Sequence, residues 1–395
     1  SLERARMQQE IMKVATKAYE SHGFYRWFYG KHNVVPSEAT YDDLPTLTKY
    51  DLLEYEDSTG LAWKSIPLFE FYTTFSSSGT SGKPLRVLWP EGEFLSAWVR
   101  PFFRQTHMNA LLNKEKPRVI GPTPPPISLA TKLASEGAGG KYVELIGEKM
   151  FDVAFVKEKV RKERANILMD LVGYLTQHLI EHDFPFKELG IKAIITVSLP
   201  PEKILKKLRE IYGRNCILCV YASVEMGHLA YSCPFSTRLH LHPVIVGAPK
   251  RFLHVEGKSG KVQETGSGKL IITWDLKSFP WVNYSIGDNV TIERGECDCG
   301  FKGKFITILG RDIERKIGSM FGPLIDVMEL QDGVERIFPS TKHLMVYVRG
   351  RIGERSNQLF FVTFVEGETT VPTFDREATR KLLKHCTGII DPQYL

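Results

Sequence analysis

The spacing of apolar side chains divides the sequence into regions with different predicted structures. Over residues 2–20 apolar side chains recur at helical intervals, which predicts an amphipathic N-terminal helix. Through the middle of the chain, short apolar runs of strand length alternate with helical periods. The runs are Arg118–Gly121, Ile191–Val197 and Cys216–Val220, and the helical periods are Leu168–Leu179 and Glu202–Tyr212. This alternation predicts an α/β layer with a largely parallel sheet.

The pattern changes again in the C-terminal part of the chain. From about residue 244, short strands and turns replace the helical periods. Further along, apolar runs at 343–348 and 358–365 precede a helical period near 375–385, which predicts a small α+β domain. A chain of 395 residues also suggests two or three domains at about 150 residues each. We therefore predict domains at 1–310 and 311–395.

Composition and charge narrow the classes of function. No apolar run approaches the ~18 residues that a membrane helix needs, so we expect no membrane span. The formal charge of +6 is spread along the chain, and the densest basic cluster, Arg161–Arg164, includes a glutamate. We expect a solvated helix face there rather than a nucleic-acid surface, and a small anionic ligand such as a nucleotide suits the surplus of cations. Six cysteines are too few for a disulfide framework, which favours the reducing cytoplasm.

Residues 73–84, with the sequence Thr-Thr-Phe-Ser-Ser-Ser-Gly-Thr-Ser-Gly-Lys-Pro, form the most informative segment. Its small hydroxyl residues and two glycines let backbone N–H groups point inward, and Lys83 adds a positive charge, so the segment can cradle phosphate oxygens. It is not a Walker A loop, because Gly79 and Lys83 lie too close together and Pro84 stands where Ser or Thr is required. A flexible linker is the alternative, but the apolar strand residues after Pro84 argue against it.

Three further segments follow the loop along the chain: Tyr221–Glu225, Asn283–Asp288, and Gly310-Arg311 with Gly318 beyond it. Together the four segments resemble the motifs of the adenylate-forming superfamily, in the same order. The second is similar to Tyr-Gly-x-Thr-Glu, the third to Tyr-Arg-x-Gly-Asp, and the fourth to the hinge before the C-terminal domain. Cys233 and the turn Cys297–Gly300 are similar to the phenylacetate-CoA ligase and coenzyme F390 synthetase branch.

The resemblance implies both a fold and a reaction. The fold is α/β, with a large N-terminal adenylate-forming domain of mixed sheets and helices and a small, mobile α+β C-terminal lid domain. The reaction is that of an AMP-forming ligase: a carboxylic acid, aromatic in this branch, attacks ATP in the presence of Mg²⁺, and the thiol of coenzyme A then displaces AMP. The implied partners are a small-molecule acid and a nucleotide, and a homodimer is left open. The alternatives are transfer to an amine, a carrier or a protein thiol, and a nucleotide-binding protein that lacks catalysis.

The resemblance also implies which residues hold the nucleotide. The loop residues that would hold the phosphates of ATP are Ser78, Gly79, Thr80, Ser81, Gly82 and Lys83. Tyr221 would lie against the adenine, with Ala222 and Ser223 beside it. Asp288 would accept hydrogen bonds from the ribose hydroxyls.

Three residues are implied to be catalytic. Lys83 would stabilise charge on the phosphates, Glu225 would coordinate Mg²⁺, and Arg311 would contact the ribose or a phosphate at the hinge. Asp312, directly after Arg311, is the implied pivot of the C-terminal domain.

The sequence departs from the family pattern at several positions. Val224 stands where the family usually has Thr or Ser, so a hydroxyl donor to the AMP phosphate is absent there. Ser285 replaces a common Arg, and the late Pro-x-x-x-Gly-Lys segment is not visible before Leu395. His228 could line the acyl pocket, and a packed histidine is the alternative interpretation.

A second set of residues has the chemistry of a metal site. Cys233, His240, Cys297 and Cys299 offer three thiolates and an imidazole, a set of four that suits tetrahedral zinc. His242 is the alternative histidine, and four unrelated residues are the alternative interpretation of the set.

Overall fold

The structure is a computed structural model of the chain. It describes residues 2–64, 66–76, 85–104, 107–123, 125–145, 148–170, 174–197, 202–213, 215–235, 240–244, 251–257, 260–311, 316–317, 325–326, 341–349 and 358–365.

The chain divides into two compact units, which we describe separately. The first comprises Ser1–Ser77, Leu85–Ile286 and Val290–Ile308; the second comprises Ser78–Pro84, Gly287–Asn289 and Leu309–Leu395. The predicted domain boundary at residue 310 stays a prediction, because most of 311–395 lies outside the described residues.

The described α-helices all lie in the first unit. They are α1 Leu2–Ser21, α2 Gly23–Lys31, α3 Lys49–Thr59, α4 Glu91–Phe94, α5 Arg100–Arg104, α6 Met108–Leu111, α7 Pro125–Gly137, α8 Val153–Glu163, α9 Tyr174–Glu181 and α10 Glu202–Tyr212. A π-helical turn, Leu95–Val99, joins α4 to α5, and 3₁₀ turns occur at Tyr41–Asp43, Leu68–Glu70 and Glu148–Phe151.

The described strands run through both units. They are β1 Leu47–Thr48, β2 Phe71–Ser76, β3 Arg86–Pro90, β4 Arg118–Gly121, β5 Lys141–Glu144, β6 Ile167–Met169, β7 Ala193–Thr196, β8 Ile217–Ser223, β9 Gly227–Ser232, β10 Leu241–Pro243, β11 Arg251–Glu256, β12 Val262–Gln263, β13 Gly266–Trp274, β14 Trp281–Glu296, β15 Lys302–Arg311, β16 Lys316–Ile317, β17 Ile325–Asp326, β18 Thr341–Arg349 and β19 Gln358–Val365.

Helix α1 confirms the amphipathic pattern at the N-terminus. Its predicted apolar face is buried in the largest hydrophobic core of the first unit, through Met7, Ile11, Val14, Ala15 and Ala18. Burial of such a stripe is what holds a surface helix to its core. Among the described helices, none combines the length and the hydropathy that crossing a bilayer requires.

The predicted parallel layer forms the middle of a large sheet. Strands β5, β4, β6, β7 and β8 lie side by side and parallel, and β8 then pairs antiparallel with β9. Helices α8, α9 and α10 pack into one hydrophobic core, and α5, α6 and α7 into another. The turn after β8 therefore lies at the carboxyl edge of the parallel strands, where open α/β sheets bind their ligands.

The helix predicted over Leu168–Leu179 was wrong in its first part. Residues 167–169 form the strand β6, and the helix α9 begins only at Tyr174. Strand β6 pairs with β4 and with β7, and all three of its residues are buried. Because both faces of such a strand are covered, it is apolar throughout and resembles part of a helix in the sequence.

The remaining strands are largely antiparallel. In the first unit the sheet continues in the order β9, β10, β15, β14, β13, β11 and β12. In the second unit β18 pairs antiparallel with β19, which confirms the two predicted strands there. The helix predicted near 375–385 lies outside the described residues.

Candidate functional site

The Tyr221–Glu225 segment crosses from the last parallel strand into a tight turn. The register of β8 against β9 shifts between Tyr221 and Ala222, and the N–H of Met226 donates to the carbonyl oxygen of Ser223 at 3.2 Å. Gly227 begins β9 at φ +67, where an added Cβ would lie 2.7 Å from the carbonyl oxygen of Ala97. A side chain at Gly227 would therefore displace the turn that carries Glu225.

The carboxylate of Glu225 is held by another of the predicted motifs. The hydroxyl of Tyr284 donates to Oε1 of Glu225 at 3.0 Å. Glu225 is 7% exposed and Tyr284 is 1% exposed, so this hydrogen bond is buried. Tyr284 is itself fixed in β14, where it pairs with Leu47 of β1. The structure thus brings Tyr284, from the third predicted motif, against Glu225 of the second.

The strand after the predicted phosphate loop also reaches this turn. The indole Nε1–H of Trp89, on β3, donates to the carbonyl oxygen of Val224 at 3.1 Å. Strands β2 and β3 pair antiparallel and bracket the loop, with Ser76 opposite Arg86. The loop residues themselves, Ser78, Gly79, Thr80, Ser81, Gly82 and Lys83, lie outside the described residues.

Arg251 supports the same turn from β11. Its guanidinium donates to the carbonyl oxygens of Met226 at 3.1 Å and His228 at 2.8 Å. Burial lowers the pKa of Arg251 to about 9, so it is still a cation at pH 7. Neither Arg251 nor Trp89 was predicted, because single residues outside any motif give no sequence signal of a contact that forms only in the fold.

His228, three residues beyond Glu225, is packed among aromatic side chains. The ring of His228 lies 5.4 Å from those of Trp98 and Phe102, and Phe75 stacks on Trp98 at 4.3 Å. Burial, with the charge of Arg251, lowers the pKa of His228 to about 3, so this imidazole is neutral at pH 7. His228 is therefore a packed, neutral histidine in this structure.

For Asp288 and Arg311, two other predicted nucleotide-binding residues, the structure gives the position in a strand. Asp288 is buried within β14, after Gly287 at φ +86, and belongs to the second unit. Arg311 ends β15, and its side chain and the whole of Asp312 lie outside the described residues.

Four of the residues named as candidate zinc ligands form a second cluster, in the first unit. The ligand atoms of Cys233, His242, Cys297 and Cys299 all lie within 4.8 Å of one another. Cys233 directly follows β9, His242 lies in β10, and the two other cysteines lie in the turn between β14 and β15. The set with these close contacts contains His242, the alternative histidine, in place of His240, and which of the two is the ligand stays a prediction.

The nitrogen atoms of His242 have different surroundings. Nε2 lies 3.1 Å from Nε2 of His240, whereas Nδ1 is buried and has no hydrogen-bond partner in the described part of the chain. Burial raises the pKa of the Cys233 thiol to about 12, so this thiol would ionise at neutral pH only beside a cation. Three sulfurs and one His242 nitrogen within 4.8 Å of one another fit a tetrahedral zinc ion, whose Zn–S and Zn–N distances of ~2.3 and ~2.0 Å bring the ligand atoms this close.

The architecture can be compared with solved structures. A 2-hydroxyisobutyryl-CoA ligase in complex with 2-HIB-AMP is 15% identical, with a TM-score of 0.65 over 97% of this chain and 84% of that one. The chain has the fold of the adenylate-forming ligases. ATP-bound MatB from Rhodopseudomonas palustris is 16% identical, with a TM-score of 0.52 over 83% and 65% of the two chains. The anthranilate CoA ligase AuaEII with anthranoyl-AMP is 15% identical, with a TM-score of 0.50 over 84% and 63%.

The adenylate-forming fold confirms the predicted fold class. At identities of 15–16% the likeness establishes the fold and leaves activity and substrate to be proposed. No known family model and no curated protein matches the sequence.

Proposed function

We propose that the protein is an AMP-forming ligase that activates a carboxylic acid. In the first step a carboxylate oxygen of the acid attacks the α-phosphorus of ATP, which gives an acyl-adenylate and releases pyrophosphate. In the second step the thiolate sulfur of coenzyme A attacks the acyl carbonyl carbon and AMP leaves. The protein contributes positioning and charge stabilisation to both steps.

The hydrogen bond from Tyr284 to Glu225 carries this proposal. It joins two segments that are 59 residues apart, and each was matched separately to an adenylate-forming motif. The contact of Trp89 with Val224 adds the strand that follows the phosphate loop. Chance similarity of short motifs would not bring their side chains together at the carboxyl edge of a parallel sheet.

Each motif residue then has a role. Glu225 would hold Mg²⁺, because carboxylate oxygens are the ligands that this ion prefers, and Mg²⁺ when bound would neutralise charge on the phosphates. Tyr221, Ala222 and Ser223 would contact the adenine, and Asp288 would contact the ribose. Ser78, Gly79, Thr80, Ser81, Gly82 and Lys83 would hold the β- and γ-phosphates, and Arg311 would contact the ribose or a phosphate.

An aromatic acid is the substrate class that the resemblance to the phenylacetate-CoA ligase branch implies. The rings of Trp98, Phe102 and His228 are buried against one another, so they do not by themselves select the acid. Of the similar structures, one is an anthranilate CoA ligase and another a 2-hydroxyisobutyryl-CoA ligase, so an aromatic and an aliphatic acid both belong in a test.

Acid-dependent ATP–pyrophosphate exchange tests the proposed reaction. We would assay phenylacetate, benzoate, anthranilate, 2-hydroxyisobutyrate and acetate with Mg²⁺, and then follow AMP release on addition of coenzyme A. We expect exchange with an aromatic acid and AMP release with coenzyme A. AMP release only with an amine or a carrier thiol would show that the acceptor is not coenzyme A. ATP binding without any exchange would contradict the proposed reaction.

We also propose that Asp312 is the pivot of a C-terminal lid that adopts different positions in the two steps. Asp312→Pro fixes φ and removes an N–H at a hinge that needs few residues. It should slow one half-reaction about tenfold more than the other, as measured by single-turnover formation of acyl-AMP and its consumption by coenzyme A. Equal slowing of both steps in a folded variant would contradict the pivot.

A structural zinc ion is the second proposal, at Cys233, His242, Cys297 and Cys299. The four ligand atoms, which all lie within 4.8 Å of one another, support it most directly. His240 would act through its hydrogen bond to His242, as neighbours of ligating histidines commonly do. Metal analysis of freshly purified, reduced protein should find about one zinc per chain.

The matched pair His242→Asn and His240→Asn tests the choice of ligand. His242→Asn should lose the zinc, whereas His240→Asn should keep most of it. Loss of zinc only from His240→Asn would show that His240 is the ligand. Wild-type protein without zinc would contradict the site.

We also propose that the protein is cytoplasmic, and we leave open whether it is a monomer or a homodimer. The five cysteines of the described residues are free thiols, which fits the reducing cytoplasm. Light scattering of the purified protein would decide between a monomer and a homodimer.

A further inference from the structure

The amino edge of the parallel strands carries a cavity, at the opposite edge of the layer from Glu225. Its walls come from the start of β4, from α8 and its C-terminal end, and from the segment 185–192 before β7. The cavity has a volume of about 600 Å³, which lies within the ~300–1,000 Å³ of small-molecule sites. Every residue that lines it is among the described residues.

The wall of this cavity has a surplus of positive charge. It contains two acidic side chains, Glu115 and Glu188, and five basic ones. The basic residues are Arg118, Lys157, Arg161, Arg164 and Lys192. Glu115 already pairs with Arg118 at 3.5 Å and with Lys192 at 2.6 Å. Because one carboxylate cannot neutralise two cations, the wall attracts anions from solution.

Three of the cations lie on α8 and at its end. Lys157 and Arg161 are four residues apart, and like charges at this spacing destabilise a helix. The helix dipole favours a cation at the C-terminal end, which accounts for Arg161 but not for Lys157, in the middle of α8. Arg164 ends the helix at φ +49, a left-handed conformation that glycine adopts most easily. Neither feature stabilises the fold, which indicates that these side chains have a binding role.

The cations are both held in place and accessible. The Nε–H of Arg118 donates to the carbonyl oxygen of Arg164, and the backbone N–H of Arg118 donates to Oδ1 of the buried Asn166 at 2.8 Å. Arg118 and Lys192 nevertheless keep 32% and 30% of their side chains exposed, and Arg161 and Arg164 are exposed. A ligand can therefore reach these cations, and it need not order Arg118 on binding.

We propose that this cavity binds a small molecule with two or more linked phosphates, at a site separate from Glu225. Guanidinium groups present paired N–H donors that match phosphate oxygens, and linked phosphates carry enough negative charge to balance the surplus. A single carboxylate would leave most of that surplus uncompensated. Any neutral part of the ligand would lie against Pro185 and Leu189, which line the same cavity. This goes beyond the proposed ligase reaction.

Calorimetry with pyrophosphate and ADP as probes tests the site, at a fixed ionic strength of about 0.15 M because salt screens exposed charges. Both probes should bind at least about tenfold more tightly than inorganic phosphate, which lacks the second phosphate. Arg161→Gln combined with Arg164→Gln should weaken this binding at least about tenfold. The matched control is Lys162→Gln, which removes a charge from the same helix outside the cavity and should change the affinity less than about twofold.

The outcomes separate this site from the candidate active site. Binding should persist in Lys83→Gln, and the double arginine variant should keep the wild-type rate of ATP–pyrophosphate exchange. If that variant does not fold, Lys157→Gln takes its place. Tighter binding of ADP than of pyrophosphate would identify a nucleotide as the ligand, and the reverse would identify a free polyphosphate.

Four results would overturn the proposal, whatever the exchange assay shows for wild type. One is no binding of either probe at millimolar concentration. Another is an equal loss of affinity in Lys162→Gln, which would indicate diffuse surface charge. The third is loss of all binding in Lys83→Gln, which would place the probes at the phosphate loop. The last is binding of a single-stranded oligonucleotide by a protein that binds neither probe.

Discussion

Strand β9 connects two sites that are built in different ways. Glu225 lies two residues before the strand and Cys233 directly after it. At the first end the protein supplies the hydrogen bonds: Tyr284 holds the carboxylate of Glu225, and Arg251 and Trp89 hold the backbone around it. At the second end a buried thiol has a raised pKa and His242 Nδ1 lacks a described partner.

This difference indicates what each end requires. The Glu225 end is ordered by the protein and is ready to receive a charged ligand, which is the arrangement expected of a catalytic group. The cysteine end is completed only by a cation that holds thiolates, which is the arrangement expected of a structural metal. A change at the first end should therefore affect turnover, and a change at the second should affect the free energy of unfolding.

Glu225→Gln should have the largest effect. It keeps the shape of the side chain but removes the charge that would hold Mg²⁺, so the ATP–pyrophosphate exchange rate should fall at least about a hundredfold. The melting temperature should stay near that of wild type. Glu136→Gln, an exposed change on α7, is the control. An ATP–pyrophosphate exchange rate in Glu225→Gln equal to that of wild type would show that Glu225 is not part of the active site.

Removal of zinc should affect stability instead. Chelation, or His242→Asn, should lower the melting temperature by about 5 °C or more, because the bound metal stabilises only the folded arrangement of ligands. Chelation should leave the melting temperature of His242→Asn unchanged, since that variant has no zinc to lose. A chelator that lowers both melting temperatures equally would act elsewhere and would contradict the assignment.

Tyr284→Phe should have the smallest effect. It removes one hydrogen bond to a carboxylate and leaves the aromatic ring, so the exchange rate should fall about tenfold. Combined with Glu225→Gln it should add little, because both changes act on one contact. Full additivity in the double variant would show that Tyr284 acts on the rate by another route.

The strongly periodic elements could be predicted from the sequence. Helix α1, helix α10 and strand β19 lie where apolar spacing indicated, because each buries one face or pairs along its length. Strand β6 could not be separated from the helix after it, because it is buried on both faces and its three residues are all apolar.

The candidate site was predictable where residue types form a motif. Glu225 and Tyr284 belong to two such segments, although their hydrogen bond is visible only in the fold. Arg251 and Trp89 act through contacts between distant strands, which leave no local pattern. The sequence left His240 and His242 as alternatives, and only the fold shows that a ligand atom of His242 lies within 4.8 Å of the three sulfurs.

Direct detection of the acyl-adenylate tests the central claim. Wild-type protein at high concentration would be mixed with ATP, Mg²⁺ and phenylacetate or anthranilate without coenzyme A, quenched in acid, and analysed by mass spectrometry. We predict acyl-AMP and pyrophosphate in equal amounts, at up to one per chain, and loss of both in Glu225→Gln. ATP that is bound but unchanged, or ADP and phosphate in place of pyrophosphate, would contradict an adenylate-forming reaction at Glu225.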